Sequence, residues 1–206
     1  MERFGGYFVV GVVGVDVAPG GPALREVYRG EGLAGRIDDV CRRLGTTERR
    51  VGASILFQGY AARVWSPLLG AVALGLPVPA LDSDEIHWTE SGFVSARPLR
   101  ESTETITAIA VEQHLEPMMS ALRKEVPVAD GLLWGNAASS LVGTMKVIAN
   151  AGALDRRTSD VAAEVLEHDA LRAAGGFTDG GYQRRSCCLY YRVPGGGLCG
   201  DCVLAP

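Results

Sequence analysis

The chain has 206 residues, 24 acidic against 20 basic for a net charge of −4, and 47% of it is hydrophobic. That length fits one domain or two small ones and buries a core without crosslinks, while the charge balance offers no general basic face for nucleic acid or an acidic membrane surface. No run reaches the roughly eighteen unbroken apolar residues of an integral membrane span.

The first run, MERFGGYFVVGVVGVDVAPGGPAL, places a basic residue ahead of apolar ones, as a secretory signal does. Glu2 offsets Arg3, however, glycines punctuate the run, Val and Phe dominate it and Asp16 ends it, so it predicts a strand. GPALREVYRGEG is turn-rich, with a second short strand expected around Glu26 to Arg29. From Arg36 onward, Ile37, Val40, Cys41 and Leu44 fall on one helical face and Gly45 supplies a stop, which puts Cys41 on the buried stripe. A second helix is expected from about Thr47 through ERRVGASILFQGYAARVW. Ser66 and Pro67 then read as an N-cap and first-turn proline opening a short apolar helix that Gly75 and Pro77 end.

In EIHWTESGFVSAR, alternating runs at 86–89 and 93–97 flank three linking residues that include Gly92, the pattern of a β-hairpin. Helices are predicted over about Ser102 to Lys124 with a kink at Pro117, Leu132 to Asn150, and Ser159 to Ala173, the last ended by Gly175 and Gly176. Trp134, Ala137, Leu141, Met145 and Ile148 share one face of the middle helix. The fold class expected is α+β, a mainly helical body at 1–176 with a small antiparallel sheet. An irregular segment at 177–206 is expected to pack on that body.

That segment holds four of the five cysteines, in RRSCCLYYRVPGGGLCGDC. In a reducing compartment, clustered cysteines point to metal or redox chemistry more often than to disulfides, and the adjacent Cys187 and Cys188 are poorly placed for a mutual disulfide. Cys187, Cys188, Cys199 and Cys202 form C-C-x10-C-x2-C, two pairs that a loop through Pro194 and Gly195–Gly196–Gly197 can fold face to face. Tetrahedral zinc and an iron–sulfur cluster both suit four thiolates. A [2Fe–2S] cluster is favoured for three reasons. Vicinal cysteines are unusual in zinc ribbons, the glycines leave N–H groups free to approach sulfur, and Arg184, Arg185 and Arg192 supply positive charge that favours thiolates and an added electron.

The same stretch resembles the C-terminal signature of the FhuF-type siderophore-iron reductases at every cysteine, and SPLLGAVALGLPVPAL and LLWGNAASSLVG resemble that family's central region. The resemblance implies a cytoplasmic protein whose [2Fe–2S] cluster, held by Cys187, Cys188, Cys199 and Cys202, passes one electron to the ferric iron of a siderophore. It also implies an external electron donor such as a ferredoxin or a reductase.

No nucleotide fingerprint, phosphate loop or catalytic triad accompanies the motif. His87, His114 and His168 lie away from it in sequence and read as ordinary residues, and Asp82, Asp84 and Glu85 as a solvated turn. For the siderophore itself, Arg184, Arg185, Trp134 and Asn136 are the candidate contacts. A structural-zinc binding module and an iron- or redox-sensing cluster protein are the alternatives.

Overall fold

The computed structural model describes residues 5–12 and 18–205. Of the strand expected at the N-terminus, the described part is β1 (Gly11–Val12), which follows a short 3-10 turn at Gly6–Phe8. Residues 1–4 and 13–17 of that run lie outside the described residues. Where the sequence predicts a strand around Glu26, the chain forms helix α1 (Leu24–Tyr28) instead. Glu26 Oε2 accepts the Ala23 N–H at 2.9 Å and ties down the first turn, while Leu24 and Val27, three residues apart, are both buried.

Helix α2 (Leu33–Leu44) buries Leu33, Ile37, Val40 and Cys41, and ends as its sequence predicts at Gly45, with the Thr46 N–H reaching back to the Cys41 carbonyl at 3.0 Å. Helix α3 (Arg49–Ala73) corrects the predicted break at Ser66–Pro67, because it runs straight through both residues. An internal proline costs roughly 3 kcal/mol, and here packing on both sides of it outweighs that. Trp65 Nε1 donates to the Ala137 carbonyl at 3.0 Å, Ser140 Oγ to the Gln58 carbonyl at 2.9 Å, and Ser66 Oγ lies 3.3 Å from Thr144 Oγ1 instead of capping a helix.

Helices α2 and α3 touch at Gly52. A Cβ there would collide with Cys41 Sγ and stand 3.0 Å from the Ile37 carbonyl. Gly52→Ala is therefore expected to lower stability by about 1–3 kcal/mol. In thermal melts, Cys41→Ala should restore part of that loss, which a helix-propensity effect alone would not allow.

The hairpin is as expected, β2 (Ile86–Trp88) antiparallel to β3 (Phe93–Ser95), and β1 extends this sheet by pairing in parallel with β3, Gly11 opposite Val94. The helix predicted from Ser102 is helical only from Ile106. It carries a π-helical stretch at Ala108–Leu115 before α4 (Glu116–Glu125), so the irregularity attributed to Pro117 falls in the turns just ahead of it. Helix α5 (Asp130–Asn150) packs along α3. The single helix predicted over 159–173 is two, α6 (Arg156–Leu166) and α7 (Asp169–Ala174), and α6 starts early because Asp155 Oδ1 accepts the Thr158 N–H at 2.8 Å. Gly175 and Gly176 do not merely stop α7. They open a second hairpin, β4 (Gly175–Thr178) with β5 (Gly181–Arg184), which replaces the irregular start predicted for the tail and places position 177 inside a strand.

A buried polar knot joins three of these layers. Tyr28 Oη lies 2.5 Å from Tyr60 Oη and 2.6 Å from His114 Nδ1. Burial pushes the His114 imidazole down to about 4. An unfolded histidine takes up its proton near pH 6.5, so the unfolded state binds a proton that the native state refuses. Stability should fall as pH drops from about 6.5 to 4 and level off below. Urea midpoints measured across that range should lose much of this slope in His114→Gln. No described helix is long and apolar enough to cross a membrane.

Candidate metal centre

β5 delivers the tail to the body, with Tyr182 in the core and Arg184 buried beside it. Arg184 is 1% exposed, and its guanidinium donates from Nη1 to Asn136 Oδ1 at 2.8 Å and from Nε to Asp201 Oδ2 at 3.3 Å. Asn136, buried on α5, donates in turn through Nδ2 to the carbonyl and hydroxyl oxygens of Ser54 on α3, at 2.8 and 2.9 Å. Ser54 Oγ donates to the Cys188 carbonyl at 2.6 Å. A continuous chain of buried polar groups thus runs from the loop between Cys199 and Cys202, through both long helices, to the vicinal cysteines. Such groups are costly to bury unpaired, so the body fixes both ends of the motif together.

Nearby contacts add to this. Ser186 Oγ donates to the Gly131 carbonyl at 2.6 Å, and a Cβ at Gly135 would collide with that hydroxyl. The Arg184 N–H donates to the Asp201 carbonyl at 3.1 Å. Burial pushes the Asp201 carboxyl up, but a hydrogen bond from Ser139, the Arg184 guanidinium and Cys199 outweigh it and hold the group below its ordinary range.

Two of the sulfurs meet at the surface end of this chain. Cys188 and Cys202 are buried, whereas Cys187 and Cys199 are half-buried. Cys188 Sγ and Cys199 Sγ, one from each sequence pair, are 3.6 Å apart. Cys187 Sγ accepts the Leu189 N–H at 3.3 Å, and Cys202 Sγ accepts the Leu204 N–H at 3.4 Å. Leu189 has φ 67°, a left-handed conformation costing about 1–2 kcal/mol that turns the chain directly after the vicinal pair.

The loop between the pairs needs its glycines unequally. Gly195 has φ 71°. A Cβ at Gly196 would stand 2.6 Å from the Tyr190 carbonyl and 2.9 Å from that of Val193, and one at Gly197 would meet nothing within 4 Å.

These features fit an iron–sulfur group. The donors are four soft thiols, and backbone N–H groups already point at two of them, the interaction that tunes such clusters. Burial, with the Cys188 sulfur beside it, pushes the Cys199 thiol up to about 12. Positive charge from a bound metal would favour two thiolates side by side. Among the described residues, no three His, Cys, Asp or Glu side chains gather tightly enough to hold a single metal ion.

The three arginines expected to surround the cysteines have separate duties. Arg184 is interior and bonded to Asn136, so both are enclosed rather than presented to a substrate, which corrects the expectation that they form substrate contacts. Arg185 is exposed and its Nη1 donates to the Arg172 and Ala173 carbonyls at the end of α7, at 3.0 and 3.1 Å. Arg192 pairs through both nitrogens with Glu48 at the start of α3, at 3.1 and 2.9 Å, fastening the loop to the body. Trp134 is half-buried, packed on the core with its ring centre 6.1 Å from that of His168. Cys41 is the buried core thiol its helical spacing predicts. Sequence reasoning missed Ser54 and Ser139. The only signal was a serine within an otherwise apolar or small-residue helical stretch, which does not reveal its partner.

Neither a curated protein sequence nor a solved structure matches the chain. A protein-family model, the FhuF 2Fe-2S C-terminal domain, matches residues 184–204. The matched span takes in all four tail cysteines together with Arg184, Arg185 and Arg192, and none of the helical body. The segment that β5 anchors through Arg184 thus matches the FhuF 2Fe-2S C-terminal domain, and the cofactor of this chain is a [2Fe–2S] cluster.

Proposed function

We propose that the chain is a ferric-siderophore reductase, with Cys187, Cys188, Cys199 and Cys202 as the four ligands of its cluster. The observation that carries this reading is the FhuF 2Fe-2S C-terminal domain docked on the body with two of its cysteines, Cys187 and Cys199, only half-buried. When bound, a [2Fe–2S] cluster supplies one-electron reduction, and all-cysteine ligation keeps its potential low.

The substrate needs nothing more. Siderophores grip Fe3+ with hard oxygen donors, and the larger, less charged Fe2+ is held far more weakly, so a single electron frees the metal. No side chain has to act as nucleophile, acid or base. What the residues contribute is position: Ser54, Asn136, Arg184 and Asp201 hold the cysteine loops against α3 and α5, while Tyr190, Tyr191, Leu198 and Leu204 leave exposed apolar surface around them. The chain requires an external electron donor, of which a ferredoxin or a reductase is the natural class, and the reaction belongs where imported siderophores are unloaded, in the cytoplasm.

Metal and acid-labile sulfide analysis of anaerobically prepared protein tests the ligand assignment. Iron and sulfide in equal amounts, with visible absorption that dithionite bleaches, is the expected result. Zinc without sulfide would place the protein in the structural-zinc class and remove the reductase reading.

A further inference from the structure

Away from the cysteines, α2, α3 and the β2–β3 hairpin enclose a cleft of about 620 Å³ whose walls include Arg36, Arg42, Arg43, Arg63, Tyr7 and Trp88. Four guanidinium groups face two carboxylates there, Asp39 and Glu90, in a protein whose net charge is −4. Arg42 is paired with Asp39. Among the described residues, Arg36, Arg43 and Arg63 have no carboxylate within ion-pair distance. Two of them are stiffened from below. The Arg36 guanidinium lies 4.5 Å over the Trp88 ring and bonds its carbonyl, and Arg63 lies 4.5 Å over Tyr7 with Nη1 bonded to the Gly59 carbonyl at 2.9 Å. Half-burial and the neighbouring Arg63 work against the charge on Arg36, while Asp39 and Glu90 partly offset them. Concentrated, preorganised positive charge in excess of its neighbouring carboxylates, held in a concave site, is the signature of an anion site.

The cleft is not isolated from the metal centre. It shares Tyr7, Ile55 and Gly59 with a second hollow of about 570 Å³ floored by small residues of α3 and α5. That hollow shares Ser139 and Gly143 with a third, which ends on Gly200 and Asp201 between Cys199 and Cys202. Along α3, Gly59 lies five residues from Ser54, whose hydroxyl holds the Cys188 carbonyl, or about 7.5 Å of helix axis.

We infer that this cleft and the groove joined to it are the docking site for the substrate, and that the site selects ferric chelates carrying net negative charge, those built from catecholate or carboxylate oxygens, over neutral tris-hydroxamate chelates. This rests on the reductase reading for the identity of the ligand. The arginines grip the anionic periphery, and the small-residue groove leads from it toward the half-buried Cys199. A cleft of this size suits a small molecule better than the broad, flat face used in docking an electron-transfer protein.

Gallium(III) chelates test the inference apart from electron transfer, because gallium matches ferric iron in charge and is not reduced. Titrated into the cluster-loaded protein with Trp fluorescence or calorimetry as the readout, the gallium tris-catecholate complex should bind at least about tenfold tighter than the gallium tris-hydroxamate complex, with the difference shrinking as salt is raised. Arg43→Glu, at an exposed position that leaves the fold alone, should weaken catecholate binding about tenfold and leave hydroxamate binding unchanged. Arg63→Gln should act in the same direction. Equal affinity for the two complexes, or anionic binding indifferent to both substitutions, overturns the inference. So does unchanged chelate binding combined with slower reduction by an acidic ferredoxin, which would assign the cleft to the electron donor. If the catecholate complex binds as expected but ferric chelates are never reduced, the cleft stands and the reductase reading falls. If ferric chelates are reduced at rates blind to their charge and to Arg43, the reductase reading stands and the cleft falls.

Discussion

Cys202→Ser is expected to yield protein that retains neither iron nor acid-labile sulfide and lacks the visible absorption of the loaded form, a complete loss rather than a graded one. Cys202 is 3% exposed, its sulfur accepts the Leu204 N–H, and no spare thiol stands near it, because Cys41 lies between α2 and α3. Serine offers a hard oxygen that stays protonated in place of a soft thiolate. Cys188→Ser should behave alike, since Cys188 is 2% exposed and its carbonyl is held by Ser54. Cys41→Ala is the control, with iron and sulfide content unchanged. Equal cluster content in Cys202→Ser and the parent would remove Cys202 from the ligand set.

The second large effect falls on stability and cluster retention together. Arg184 is enclosed on all sides, and among the described residues Asp201 is the carboxylate paired with it. Asp201→Ala leaves a buried guanidinium without a counter-charge, and such losses run to about 3–5 kcal/mol. The cost should appear as a lowered urea midpoint and, because Asp201 sits between Cys199 and Cys202, as faster loss of cluster. Removing both charges is a different matter, since a buried ion pair returns little net stability once its desolvation is counted. The double variant Arg184→Met/Asp201→Leu should therefore be more stable than Asp201→Ala alone. If it is less stable, the pair acts as more than a mutually satisfied charge, and the account of how the tail docks is incomplete.

The chemistry of this chain was more legible in its sequence than its architecture. Four cysteines at fixed spacing are a local signal, and soft thiol donors narrow the cofactor to zinc or an iron–sulfur cluster whatever the surrounding fold. The α2 stripe and its Gly45 stop, and the β2–β3 hairpin with Gly92 in its turn, were readable for the same reason: each is decided within a dozen residues.

The failures share the opposite cause. Ser66–Pro67 carries a strong local break signal, yet Trp65, Ser66 and Ser140 bond across to the neighbouring long helix and carry α3 through it. The glycines at 175 and 176 look like a helix stop, and the strand pairing that follows depends on Tyr182 and Gln183 several residues away. In sequence, Arg184 and Asn136 read as substrate contacts because a guanidinium attracts anionic groups and an amide offers a hydrogen bond. Nothing local reveals that they bond to each other across 48 positions and are buried as a pair. The arginine cleft was equally hidden, since Arg36 and Arg63 come from two helices and each rests on an aromatic ring from another segment.

The account stands or falls on a single-turnover experiment. Protein loaded with its cluster is reduced with dithionite under anaerobic conditions, freed of excess reductant, and mixed with a ferric siderophore in the presence of a ferrous-specific chelator, with electron paramagnetic resonance following the reduced state. The expected result is loss of the paramagnetic signal with appearance of one trapped ferrous ion for each electron lost. A reduced signal that persists in the presence of the siderophore and disappears only on admission of air would contradict it.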